Sequence, residues 1–175
     1  YNFGKNLDAV TIEIESVNAD ALEKLENEGV KIFPKPSALR IIKNKILQKQ
    51  FYKELQIPTA DFIITQTLAE LSQHIQFLPA VHKIGMGGYD GRGVQIIKSK
   101  EDISKGFNAP GILEKMVTID KEIAQIVAIN DKGETVLYPP VDMVFDPNLN
   151  LLNYQISPAD LPEKVVFWGS IRPPR

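Results

Sequence analysis

Five glycines within eleven residues, in the run Lys83-Ile84-Gly85-Met86-Gly87-Gly88-Tyr89-Asp90-Gly91-Arg92-Gly93, constrain the fold of this 175-residue chain more than any other feature. Pro79-Ala80-Val81-His82-Lys83 before the run and Val94-Gln95-Ile96-Ile97 after it are both strand-patterned, so the loop joins two arms of a hairpin. It is therefore neither a P-loop, which needs Gly-Lys-Ser/Thr opening a helix, nor a dinucleotide fingerprint, which also opens a helix. Glycine accepts positive φ and has no Cβ, so the amides of such a loop can fold around an oxyanion, with Lys83 and Arg92 adding positive charge. Phosphate suits that chemistry; a plain hairpin loop is the competing reading.

The rest of the chain reads as strand-helix alternation giving way to hairpins. Val10, Ile12 and Ile14 alternate with polar residues as in a half-buried strand, and Asn18 caps a short helix through Leu22 and Leu25 that Gly29 ends. Val30-Lys31-Ile32-Phe33 is a strand. Ser37 is expected to cap one longer helix with apolar residues Leu39, Ile42, Ile46, Leu47, Phe51 and Leu55, closed off by Pro58. Phe62-Ile63-Ile64 is a second-cycle strand, and Thr67-x-x-Glu70 is a capping box opening a helix to about Phe77. A short helix near Glu101 to Gly106, strands at Ile112-Leu113 and across residues 122–129, and an Asp131-Lys132-Gly133 turn into Thr135-Val136-Leu137-Tyr138 complete the pattern. Such an order predicts an α+β protein rather than a doubly wound parallel sheet.

Composition narrows the function classes. With Lys+Arg 20 against Asp+Glu 22 the net charge is −2, so no overall field attracts a polyanion, and nucleic acid is disfavoured. No stretch approaches the roughly 20 apolar residues of a membrane span, so the chain reads as soluble, and the absence of cysteine fits a reducing cytoplasm. His74 and His82 are too few for a histidine metal site; His74 reads as surface, and alternation points His82 to the strand face opposite Lys83. The start at Tyr1, already close to a strand, reads as a piece of something longer.

Several segments carry a resemblance. The glycine run, Glu114-Lys115-Met116-Val117 with Glu122 eight residues on, and Tyr138-Pro139-Pro140-Val141 resemble the ATP-grasp 5-(carboxyamino)imidazole ribonucleotide synthetases in wording, order and spacing. Val10-Thr11-Ile12-Glu13-Ile14-Glu15, Asn44-Lys45-x-x-Gln48-Lys49, Gln56-Ile57-Pro58-Thr59 and Ile156-Ser157-Pro158-Ala159 extend the likeness over about residues 8–163.

The resemblance implies an ATP-grasp fold with a strand-loop-strand glycine flap and a hairpin-rich second lobe. It divides the chain into the end of a Rossmann-like domain at residues 1–36 and an incomplete ATP-grasp domain at 37–163, and residues 164–175 read as a tail strand. It implies a ligase that uses MgATP and bicarbonate, through carboxyphosphate, to carboxylate aminoimidazole ribonucleotide in purine synthesis. This chain would supply the nucleotide-binding part and be inactive alone; a homodimer stays open, with no nucleic-acid or membrane partner. Lys45 and Lys83 would contact ATP phosphates, with Gly88, Tyr89, Asp90, Gly91, Arg92 and Gly93 closing over them. Backbone groups of Glu114, Lys115, Met116 and Val117 would read the adenine edge, and Glu122 would accept the ribose hydroxyls.

By themselves Lys45 reads as a solvated helix charge, Glu122 as an exposed strand residue and Asp142 as a loop-edge residue. Val94 stands where the family usually has Gln, and Phe145 where many members have His. No catalytic residue and no Mg²⁺ ligand is assignable. Another ATP-grasp carboxylase or ligase, or a non-catalytic nucleotide-binding module, are the alternatives.

Overall fold

The structure, a computed structural model, describes residues 1–88, 92–130, 132–146 and 151–162. The chain divides into two compact units, Tyr1–Val117 and Thr118–Arg175. The expected tail at 164–175, and Tyr89, Asp90, Gly91 and Asp131, lie outside the described residues.

The first unit opens with a parallel pair, β1 (Ala9–Thr11) and β2 (Lys31–Phe33), joined by helix α1 (Ala19–Asn27). The Asn18 side chain accepts from the Ala21 amide at 2.9 Å, and Gly29 takes φ +95°. The Gly29 amide donates to Glu26 O and the Val30 amide to Leu25 O, both at 3.0 Å, the paired bonds of a Schellman ending that only a residue tolerant of positive φ permits. Val10, Leu22, Leu25, Val30, Ile32 and Leu39 form the core beneath. β1 is shorter than the alternation suggested: Ile14 is already exposed.

The expected long helix is two, α2 (Pro36–Lys43) and α3 (Lys45–Glu54). Ser37 is not its cap; Lys35 stands at the cap position and Pro36 opens the first turn, where its missing N–H costs nothing. Asn44 breaks the run with φ −124° and ψ 110°, and its side chain accepts from the amides of Ile46 (2.9 Å) and Leu47 (3.3 Å).

An antiparallel four-stranded sheet follows, with β3 (Phe62–Thr65), β4 (Ala80–Ile84), β5 (Val94–Ile97) and β6 (Gly111–Lys115) in the order β3-β6-β4-β5. The glycine loop joins β4 to β5, as its flanks predict. Helix α4 (Leu68–Leu71) gives way to a 3₁₀ turn at Ser72–Phe77. Thr67 does cap it, but the Glu70 carboxylate accepts from the Gln66 amide rather than from Thr67. A second 3₁₀ turn, Lys100–Lys105, carries a full capping box between Ser99 and Asp102. These pieces pack Leu71 and Ile103 against Ala80, Ile97 and Leu113 on one sheet face.

The second unit holds β7 (Ile123–Ala124), β10 (Val141–Phe145) and β11 (Leu152–Ile156) in the order β11-β10-β7, and a separate hairpin of β8 (Val127–Ile129) and β9 (Thr135–Leu137). The single strand expected across 122–129 is thus split between two sheets. Between its halves the Gln125 side chain donates to Tyr138 O, and the Tyr138 amide to Ile126 O, turning the chain.

The register places His82 opposite Leu113 and Thr65 opposite Gly111, on the same buried face, as alternation implied for His82. His82 is fully buried, its ring against Phe107, and its Nδ1 accepts from the Phe107 amide at 3.2 Å, which requires a neutral ring. Burial pushes its pKa below the ordinary value. The unfolded chain then binds the proton more readily than the folded one, so stability is fully present above the ordinary value and lost as pH falls through it. Urea unfolding at about pH 7.5 and about pH 5.5 should show the lower midpoint in acid, and His82→Gln should shrink that difference.

Candidate functional site

The face of the four-stranded sheet opposite His82 carries Lys83, Ile112 and Glu114. Helix α3 lies against β6 there, bringing the buried side chain of Lys49 to Glu114. Glu114 Oε1 accepts from Lys49 and Oε2 from Lys83, while Lys49 also donates to Thr59 Oγ1 and lies 5.7 Å from the Phe62 ring centre. Burial alone would raise the Glu114 pKa; hydrogen bonds from Lys49 and Lys83, with their charges, outweigh it and hold the carboxyl below its ordinary value. Its contribution to stability is present above the ordinary carboxylate range and lost as pH falls through the depressed value.

Lys83 sits at the root of the glycine loop. The Ile84 amide donates to Gly93 O at 2.9 Å, closing the loop's base, and the Gly85 amide donates to Pro110 O at 2.8 Å. Gly87 and Gly93 take φ +80° and +78°, and a Cβ on Gly93 would meet the Ile84 side chain at 2.4 Å, so glycine is required at both. Lys45 is exposed at the start of α3, and its amide donates to Gly85 O at 2.8 Å. A cavity of about 460 Å³ is lined by Lys45, Gly85, Gly87, Gly88, Glu15 and Ser16. Lys45, Lys83, Gly88 and Gly93 are thus gathered around the loop's base; Arg92 is exposed beside it.

The segment 114–117 divides. Lys115 turns its Nζ to Phe77 O at 3.0 Å, on the core face, and its amide donates to Asp61 O at 2.7 Å. The Met116 amide donates to Pro79 O at 3.3 Å, and the Met116 and Val117 side chains are exposed. In the second unit, Glu122 is exposed and its carbonyl accepts from the Met143 amide at 2.9 Å. Asp142 is no loop-edge residue: it is buried within β10, with Lys121 donating to its Oδ2 at 3.1 Å and Oδ1 lacking a partner among the described residues. Lys121 also donates to Asp160 O at 2.9 Å. Val94 is exposed on β5, paired with Lys83, and Phe145 is half-buried on β10. Among the described residues no three acidic or histidine groups stand together to hold a metal.

Reading by sequence missed the importance of Lys49 and Thr59. The available signal was a lysine standing in the apolar stripe of the one long helix expected from sequence, three residues after Ile46 and seven after Ile42.

Gly111 binds the sheet to this site. A Cβ there would lie 2.4 Å from the backbone oxygen of Lys83, so β4 and β6 must separate to admit it. Gly111→Ala should cost about 1–3 kcal/mol in urea unfolding.

A model of the ATP-grasp domain matches residues 50–166, and one of the ribonucleotide synthetase preATP-grasp domain matches residues 1–43. The chain is 34% identical over 146 residues to the N5-carboxyaminoimidazole ribonucleotide synthase of Pseudomonas aeruginosa, covering 80% of this chain and 40% of that protein. It is 32% identical over 168 residues to the phosphoribosylaminoimidazole carboxylase of Candida glabrata, covering 90% of this chain and 29% of that one. Among solved structures, the N5-carboxyaminoimidazole ribonucleotide synthetase of Thermotoga maritima superposes with TM-score 0.78 at 35% identity, over 93% of this chain and 41% of that one. The Aspergillus clavatus N5-carboxyaminoimidazole synthase, solved with ADP and 5-aminoimidazole ribonucleotide, gives TM-score 0.81 at 30% identity, over 95% and 44%. The chain therefore spans less than half the length of these relatives.

Proposed function

Because the chain belongs to the ATP-grasp family, we propose that it forms the nucleotide-binding part of an enzyme that carboxylates aminoimidazole ribonucleotide. In that reaction bicarbonate oxygen attacks the γ-phosphorus of ATP, releasing ADP and leaving carboxyphosphate. The exocyclic amine of aminoimidazole ribonucleotide then forms a bond to the carboxyl carbon and loses a proton as phosphate departs. The division into residues 1–36, from a preceding Rossmann-like domain, and 37–163, from the ATP-grasp domain, belongs to the same reading.

One observation carries it: a cation, Lys83, is fixed at the pinned base of a glycine loop whose backbone needs positive φ. Such a base presents positive charge to a triphosphate, and stabilising charge on phosphoryl oxygens is most of what phosphoryl transfer asks of a protein. Lys45 and Arg92 add to that charge, and the loop residues 88–93 form the phosphate cover. The amides of Lys115 and Met116 are spent within the fold and Glu114 is paired in the sheet on both sides, so an adenine is left the backbone at Met116 and Val117, the Val117 amide included. Exposed Val94 and Ile96, on the sheet face of Lys83, supply apolar surface for a base. Glu122 is the ribose carboxylate in this reading.

Mg²⁺ would arrive with ATP, held mainly through its phosphates. Small phosphorylated substrates are compatible with a cytoplasmic enzyme, and no helix among the described residues is long and apolar enough to cross a membrane. A homodimer belongs to the family implication and is checked by sedimentation.

Calorimetric titration with MgATP tests the reading. The wild-type chain should bind, and Lys83→Ala and Glu122→Ala should each weaken binding roughly tenfold or more. A folded wild-type chain that takes up no MgATP at about 1 mM overturns it.

A further inference from the structure

We propose that Lys49 is the permanent counter-ion of Glu114 and thereby a positioning residue, leaving Lys83 free to exchange the carboxylate for a nucleotide phosphate. This rests on the reading of Lys83 as a phosphate contact.

The two lysines share one carboxylate but not one environment. The Lys49 side chain is 8% exposed and that of Lys83 32%, against 11% for Glu114. Lys49 is also anchored twice over, by Thr59 Oγ1 and by the nearby Phe62 ring. The oxygens of Glu114 are divided, Oε1 to Lys49 and Oε2 to Lys83, so losing one donor leaves the other bond in place. Charge counting gives the same asymmetry. Two lysines and one glutamate carry a net +1, and when Lys83 leaves, Lys49 and Glu114 remain as a neutral buried pair. Without Lys49, the same departure would strand a buried carboxylate, a state the protein resists strongly. Glu114 would then hold Lys83 away from the phosphate.

The test reads both halves. With glutamate labelled at the side-chain carboxyl, NMR titration should show Glu114 still below its ordinary pKa in Lys83→Met, held there by Lys49. A Glu114 that returns to or above its ordinary value in Lys83→Met overturns the proposal. In the wild type, saturating MgATP should move the Lys83 side-chain resonances while Lys49 stays, with Glu114 still low; this measurement stands if Lys49→Met does not fold, and a moving Lys49 signal overturns the proposal.

In calorimetry, Lys49→Met should weaken MgATP binding roughly tenfold or more. Lys49→Arg should largely keep binding. The double variant Lys49→Met/Glu114→Gln should recover it, because no carboxylate is left to retain Lys83, whereas a merely structural lysine would not be rescued by removing its partner. Wild-type affinity in Lys49→Met, or no recovery in the double variant, sinks the proposal. Undiminished affinity in Lys83→Met instead sinks the phosphate reading of Lys83, while the Glu114 titration still decides which lysine is the permanent partner.

Discussion

A single buried carboxylate organises the first unit's site face. Glu114 on β6 draws Lys49 from α3 and Lys83 from β4, and Lys49 reaches on to Thr59 in the segment before β3. Three stretches that are remote in sequence are tied through one side chain, and a fourth through Lys49. An ion pair so placed is poor as a source of stability, since taking the charges out of water costs about what their attraction returns. Its value is positional. A charge that cannot be left unpaired fixes the helix against the sheet in one arrangement, where apolar contacts would tolerate several.

The sheet that carries Glu114 works because its two faces are chemically separate. On one, Ala80, Ile97 and Leu113 bury themselves under the helical turns, with His82 kept neutral among them. On the other, Lys83 and Glu114 alternate out of the same two strands. A register slip of one residue would send Lys83 into the core and His82 to the site. Gly111 helps to forbid that slip, because any side chain there meets the Lys83 carbonyl.

How much of this was legible in the sequence follows from the range of each interaction. The Gly29 ending and the Asn18 cap depend on residues within a few positions of one another, and the β4-loop-β5 hairpin on two adjoining strand-patterned runs, so local pattern found them. The break at Asn44 was not seen because Ile42 and Ile46 keep the apolar stripe continuous across it. The division of residues 122–129 depends on Tyr138, and the burial of Asp142 on Lys121, 21 residues away. Lys49 and Glu114 are 65 residues apart, and only the placing of a lysine on an apolar stripe hinted at a buried partner. The family likeness suggested the role proposed for the glycine loop, but the ion pairs that hold its root are a property of three-dimensional packing.

The Asn44 break shows why such a local flaw is kept. A continuous helix would spend the Lys45 amide on a carbonyl one turn back. Because Asn44 is extended and its side chain takes the amides of Ile46 and Leu47, the Lys45 amide is released and donates to Gly85 O. Gly85 is held from its other side by Pro110 O, and a Cβ there would lie 2.9 Å from that oxygen and 3.2 Å from the Ile46 side chain. The first glycine of the loop is therefore clamped between a helix start and the turn before β6. Lys83, two residues earlier, leaves the sheet at a point set by that clamp, so the position of the cation is decided by helix, strand and glycine together and not by the loop beyond them.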